Sequence, residues 1–204
     1  EEARIDRPDR PVAARFAIFA IAAAHVVMVA VMAMTPVHLL HHGASLSIIG
    51  FTLSLHVAGM YALSPVFGIL ADRFGRLGVI LLGQGLLTAA LLVAAAGAED
   101  MTAVTVALVL LGLGWSATTV SGSALLTEAS AESRRTRRQG FSDFAMSMVG
   151  AVGAISAGFV LGAIGYGGLA LSALVVVVTT AVLTPLGRVS RPAASPGGVS
   201  RASN

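Results

Sequence analysis

Cysteine is absent, which excludes disulfides and thiolate metal sites and leaves the redox compartment unmarked. Lysine is absent as well, so all 13 basic residues are arginines. Charge of either sign is scarce: 11% of residues, against roughly 25% in soluble proteins. No charged residue lies between Arg15 and Asp72, and none between Asp143 and Arg188. A soluble core cannot hide stretches of that length, so the solvent of this chain is a bilayer. Aromatics are few (5%) and do not interleave with a basic patch, so the net charge of +3 does not point to a nucleic-acid partner. No GxxxxGK[ST] sequence occurs, and an ATP-driven pump within this chain has no support. Nothing calls for a cofactor or a metal.

What is present is apolar length, 56% hydrophobic residues in 204. A spanning helix needs about 20 apolar residues. Residues 1–11 (EEARIDRPDRP) read as a charged linker. Six spans follow, near residues 12–34, 46–70, 77–96, 102–126, 141–163 and 169–186. The first apolar run is longer than the roughly 7–15 residues of a signal-peptide core. Pro36 is expected to end span one, leaving a polar loop over 37–45. The residues Thr127–Gly140 read as a charged loop, and Gly165, Gly167 and Gly168 as a tight hairpin. The tail, 188–204, is rich in Pro, Ser, Gly and Ala and is expected to be disordered. The fold class is therefore an all-α membrane protein of six transmembrane helices.

The arginines sort by alternate loops. Arg4, Arg7, Arg10 and Arg15 precede or open span one. Arg73 and Arg76 lie between spans two and three. Arg134, Arg135, Arg137 and Arg138 lie between spans four and five, and Arg188, Arg191 and Arg201 follow span six. The opposite loops carry only Glu99 and Asp100. The positive-inside rule then places both termini in the cytoplasm of a plasma-membrane protein. Span five carries small residues every four positions, Gly150, Ala154, Gly158 and Gly162, which reads as a packing ridge.

The loop after span two reads Gly68-Ile69-Leu70-Ala71-Asp72-Arg73-Phe74-Gly75-Arg76. It resembles the signature of the major facilitator superfamily, G-x-L-a-D-r-x-G-r-k, in its usual place between two spans, with Leu77 in place of the last basic residue. Gly75 can supply a turn that other residues resist. Gly68 would let another helix approach closely, and Asp72 could cap a facing helix N-terminus. The resemblance implies that Gly68, Leu70, Asp72, Arg73, Gly75 and Arg76 form a cytoplasmic latch of the transport cycle. Leu111–Ala129 with Arg137–Phe144 looks like spans ten and eleven of bacterial facilitators. The segment from Met34 to Arg76 looks like spans seven and eight. This is the pattern of the C-terminal half of a twelve-helix transporter. The opening Glu1, where a Met would start a gene product, fits a piece of a longer polypeptide. The implied partners are a small-molecule solute, the lipid bilayer, and either the missing N-terminal six-helix half or a second copy.

Transporter sites lie near the midplane. His25 and His56 fall near the centres of spans one and two, at depths that would let them face each other. Intramembrane ionisable groups are functional candidates by default, and histidine titrates near neutral pH, so a proton-coupling role is one reading. The other is an imidazole that bonds a backbone carbonyl and never titrates. Trp115, among Gly112, Gly114, Ser116, Thr118 and Thr119, is either an aromatic platform or a space filler. Gln84 is a further polar candidate. Met28 and Met32 share a face with His25, where core packing explains them. Asp143 is expected in the first turn of span five, stabilising a helix N-terminus. His38, His41 and His42 form an HxxHH cluster with no carboxylate or cysteine close in sequence to complete a metal shell.

A rhomboid-type serine protease is the competing class, from Ser121-Gly122-Ser123 in span four. It needs a histidine base on a later span, and every histidine lies at or before His56. The chain is thus not expected to be an enzyme. The scarcity of charge favours a neutral or apolar solute, exported against protons.

Overall fold

The structure, a computed structural model, describes residues 9–188. The sequence expectations for residues 1–8, with Arg4 and Arg7, and for 189–204, with Arg191 and Arg201, lie outside the described residues. Helix α1 spans Pro11–His41, α2 Leu46–Tyr61, α3 Ser64–Phe74, α4 Arg76–Ala96, α5 Met101–Glu128 and α6 Glu132–Leu183, followed by a 3-10 turn at Thr184–Gly187. Five stretches are long and apolar enough to cross a membrane. The last contains two passes, because Gly165 leaves the helical region at φ 73°, ψ −179° and folds α6 back on itself. Six passes result.

Two prolines decide the helix boundaries in opposite ways. Pro36 does not end α1, which runs on to His41. At 31 residues α1 is about 45 Å long, well beyond a roughly 30 Å hydrocarbon core. Proline removes one backbone donor, but neighbouring hydroxyls can re-satisfy the helix inside a membrane. At Pro36 the carbonyl that loses its partner is Met32 O, whereas Thr35 Oγ1 donates to Val31 O, one residue earlier, at 2.8 Å; the 2.8 Å contact with Tyr166 is therefore a bond that Tyr166 donates. Pro65, by contrast, divides the second pass into α2 and α3 at Ala62 and Leu63. Ser64 Oγ donates to the Tyr61 carbonyl that Pro65 cannot reach, at 2.8 Å.

The expected charged loop is mostly helix. Only residues 129–131 separate α5 from α6, so Arg134–Arg138 sit in the first turns of α6. Cations at a helix N-terminus oppose its dipole, and two carboxylates offset them. Glu132 pairs with Arg135 at 2.5 Å. Asp9, just before α1, accepts from the Ala131 N–H at 3.2 Å and pairs with Arg134 and Arg138 at 2.9 and 2.6 Å. The Arg138 guanidinium and then the Ala131 amide hold the Asp9 carboxyl below its usual 3.8. Asp143 therefore lies three turns into α6, exposed, and cannot stabilise the N-terminus as its sequence position suggested.

Lipid gives no hydrophobic drive between helices, so small residues bring the backbones together. Along α1, Ala13, Ala17, Ala20 and Ala24 are 3% exposed or less. Between α4 and α5, a Cβ on Gly83 would lie 2.9 Å from Gly114 O, and one on Gly114 2.9 Å from Gly83 O. Between α2 and α5, a Cβ on Gly59 would lie 2.9 Å from Val109 O, and one on Gly112 2.5 Å from His56 O. The ridge expected on span five is different in register. Gly150 is buried against α1, but Gly158 and Gly162 are exposed with nothing within 4 Å of an added Cβ, and Ala154 is only partly covered. The buried line runs Gly150, Gly153, Ala157. Each four-residue step overshoots one turn by about 40°, so an i+4 ladder drifts off any single face within three steps.

Helices α1, α4, α5 and the second pass of α6 form the centre. The α2–α3 pass leans on α5, the first pass of α6 leans on α1, and α1 and α2 scarcely meet. A groove therefore opens between these two flanking passes, with α1 and α5 as its floor. Large apolar side chains on the flanks, such as Phe51, Val57, Ile155 and Phe159, are exposed.

Candidate functional site

Trp115 on α5 sits on the groove floor, 9% exposed. Its indole N–H donates to His25 Nδ1 of α1 at 3.2 Å. The two rings are tilted at 51° with centroids 6.1 Å apart. On the other side, Tyr61, the last residue of α2, meets the indole edge-on at 6.2 Å and is 60% exposed. Such edge-to-face contacts are favourable electrostatically. The helix break that Pro65 imposes thus ends α2 with its terminal tyrosine beside Trp115. Tyr61 was not singled out in the sequence. A tyrosine four residues before a proline in a membrane segment was the available signal.

His25 and His56 do not face each other. His56 is fully buried, and its Nδ1 donates to Leu108 O of α5 at 2.7 Å. Leu108 lies two helical turns, about 10 Å, from Trp115 along α5. The carbonyl fixes His56 Nδ1 as the protonated nitrogen, and Nε2 has no partner among the described residues. Gln84 Nε2 donates to Thr118 Oγ1 at 3.1 Å, buried between α4 and α5 and tied to the Gly83–Gly114 approach rather than to the groove. Met28 is 3% exposed in the core.

At one end of the bundle, the turn of the signature loop forms as its glycine suggests. Gly75 adopts φ 90°, ψ 147° between α3 and α4. Arg76 opens α4, pairs with Asp72 at 2.6 Å, donates to Ala71 O at 2.7 Å, and reaches Glu128 at the end of α5 at 3.5 Å. The last is an ion contact without hydrogen-bond alignment, since Arg76 Nε has no bonded partner. Leu70 is half-buried against the small cluster around Phe67. Arg73 lies over the Phe74 ring at 5.7 Å. Two details differ from expectation. Among the described residues no atom lies within 4 Å of a Cβ on Gly68, so no described helix approaches it closely. Asp72 is 74% exposed and pairs with Arg76 instead of capping a facing helix.

At the opposite end, the histidine cluster is helical and structural. His38 stacks on Tyr166 at 4.3 Å and 9° and donates through Nε2 to Ala98 O at 2.5 Å. His42 Nδ1 donates to His38 O at 2.8 Å. This ties α1, the α4–α5 turn and the α6 kink together. Ser121 is buried without a partner, and no histidine bonds it or Ser123 among the described residues.

Residues 16–203 match the sequence profile of the Major Facilitator Superfamily. The chain belongs to the major facilitator superfamily. It is 40% identical over 153 residues to the uncharacterized MFS-type transporter YddS of Bacillus subtilis, covering 74% of this chain and 35% of that protein. It is 30% identical over 162 residues to the riboflavin transporter RfnT of Brucella anthropi, covering 79% of this chain and 40% of that protein. The inward-open xylose transporter XylE of E. coli superimposes with a TM-score of 0.67 at 15% identity, over 86% of this chain and 46% of that one. The chain thus spans a third to two fifths of the length of these curated relatives and is a multi-pass membrane protein of six passes.

Proposed function

We propose that this chain is the C-terminal half of a secondary transporter that moves a small neutral or apolar solute by alternating access, with protons as the coupling ion. The observation that carries the reading is the groove floor, where an ionisable side chain, His25, is bonded to an aromatic one, Trp115, in a membrane segment otherwise free of charge. An intramembrane histidine can accept a proton near neutral pH. The few charges of the groove favour a neutral solute, and export in exchange for protons is the direction this suggests. The riboflavin named for the Brucella relative makes a planar ring system the first solute to try.

The natural partner is the other six-helix half. Phe51, Val57, Ile155 and Phe159 on the flanks of the groove would face that half or lipid. The arginine-bearing ends would lie in the cytoplasm, by the positive-inside rule. The hairpin around Asp72 and Arg76 would there latch the half to its partner. A second copy in place of the other half is the alternative, and the mass of the detergent-solubilised complex separates the two.

The test is transport by the native polypeptide in liposomes loaded with a pH-sensitive dye and given riboflavin, then other neutral planar solutes. The reading predicts solute-driven proton movement that His25→Ala abolishes and His56→Ala leaves. Solute flux indifferent to a pH gradient would contradict the coupling.

A further inference from the structure

An indole N–H can only donate a hydrogen bond. Trp115 donates to His25 Nδ1, which fixes the imidazole tautomer. Nδ1 holds a lone pair, and neutral His25 carries its ring proton on Nε2. The Nε2 edge is seated against α6 at Gly150, where an added Cβ would lie 2.9 Å from both Nε2 and Cδ2. The imidazole is therefore held between a glycine on one side and an indole donor on the other. The groups facing it are few. α6 presents Gly150 and α5 presents Trp115. α2 carries two titratable groups, Tyr61, which meets the far side of the indole, and His56, which is bonded to Leu108 O about two turns away along α5. No carboxylate or guanidinium bonds His25 among the described residues.

An imidazolium has an N–H on both nitrogens. A proton on Nδ1 would aim a second donor at the indole N–H, and the 3.2 Å contact cannot survive it. We propose that His25 Nδ1 is the proton-loading atom of this chain and that Trp115 is its gate. The proton enters only as the indole leaves, and the leaving indole alters the floor of the groove where it meets Tyr61. The aromatic platform then exists only while His25 is neutral, so proton and solute replace one another at this site. The inference rests on the proton-coupled reading above and supplies its missing step, the means by which a proton moves a surface the solute touches.

Trp115 is the one tryptophan of the chain, so its emission reports the gate directly. The measurement uses the native polypeptide in liposomes, with any tryptophan outside this chain replaced by phenylalanine. Emission should shift with pH through one midpoint, and His25→Gln should lose the response. Trp115→Phe keeps a ring but no donor. Its proton-driven riboflavin transport should move its midpoint to higher pH, since nothing then competes with the proton for Nδ1. Emission that titrates through His25 upholds the gate even if transport ignores pH, in which case only the coupling reading falls. Emission that does not change with pH in a protein whose transport still depends on His25 overturns the gate, as does a response that survives in His25→Gln.

Discussion

Gly83 of α4 and Gly114 of α5 lie against each other's backbone carbonyls, each leaving no room for a Cβ on the other. The approach holds the two central helices at a distance that any side chain would break. It also sets Gln84 opposite Thr118, one residue along on α4 and one turn along on α5. Alanine at either glycine must push against backbone, which cannot swing aside. Gly83→Ala or Gly114→Ala should each destabilise the bundle by about 1–3 kcal/mol. Gly85→Ala, on the open side of α4 with nothing within 4 Å, should be neutral or slightly stabilising. Unfolding in mixed micelles compares the three.

The Asp9 contacts join the start of α1 to the start of α6. Because its pKa is lowered in the folded state, Asp9 stabilises the fold above its unfolded value, near 3.8. That stability fades as pH falls through the lower folded value. Asp9→Asn should therefore melt below the parent protein at pH 7. The gap should narrow as the pH drops below 3.8. Thermal melts from pH 7 down to pH 3 test both halves of this statement.

Arg76 separates latching from folding. Its ion pairs with Asp72 and Glu128 are partly exposed, and pairs of that kind contribute about 0.2–1 kcal/mol. Arg76→Ala should leave the melting temperature almost unchanged. If the hairpin latches the cytoplasmic side, the same change should slow transport several-fold. Equal rates in mutant and parent would remove the latch from the account.

Packing on the first pass of α6 offers a paired comparison. A Cβ on Gly153 would meet the Val26 side chain at 2.5 Å, whereas one on Gly158 meets nothing within 4 Å among the described residues. Gly153→Ala should cost stability in the isolated half and Gly158→Ala should not. A loss for Gly158→Ala that appears only when the other half is present would place that half on this face.

The parts legible in the sequence are those set by length and charge. Apolar runs of span length fixed the number of passes, and the spacing from Gly68 to Arg76 fixed the hairpin with Gly75 at its turn. Less legible was anything that depends on a neighbour. Pro36 and Pro65 look alike in sequence, yet one is carried through α1 and the other lies where α2 gives way to α3. The arginines near 134–138 read as loop because their partner Asp9 arrives from the start of α1, 122 or more residues away in sequence. The four-residue ladder on α6 drifts about 40° per step, so Gly158 and Gly162 fall on an uncovered face. The His25–Trp115 bond joins residues of α1 and α5 and has no local signature. Composition could nominate both residues, but only the packing of α1 on α5 unites them.

The most direct test of the whole reading is the side of the membrane on which the loops lie. The chain has no cysteine, so single cysteines give a clean signal. Glu99→Cys, in the α4–α5 turn, should react with a membrane-impermeant maleimide added to intact cells. Arg137→Cys, at the start of α6, should react only after the membrane is opened. The reverse pattern, or equal labelling of both sites in intact cells, would contradict a six-pass unit with its arginines in the cytoplasm.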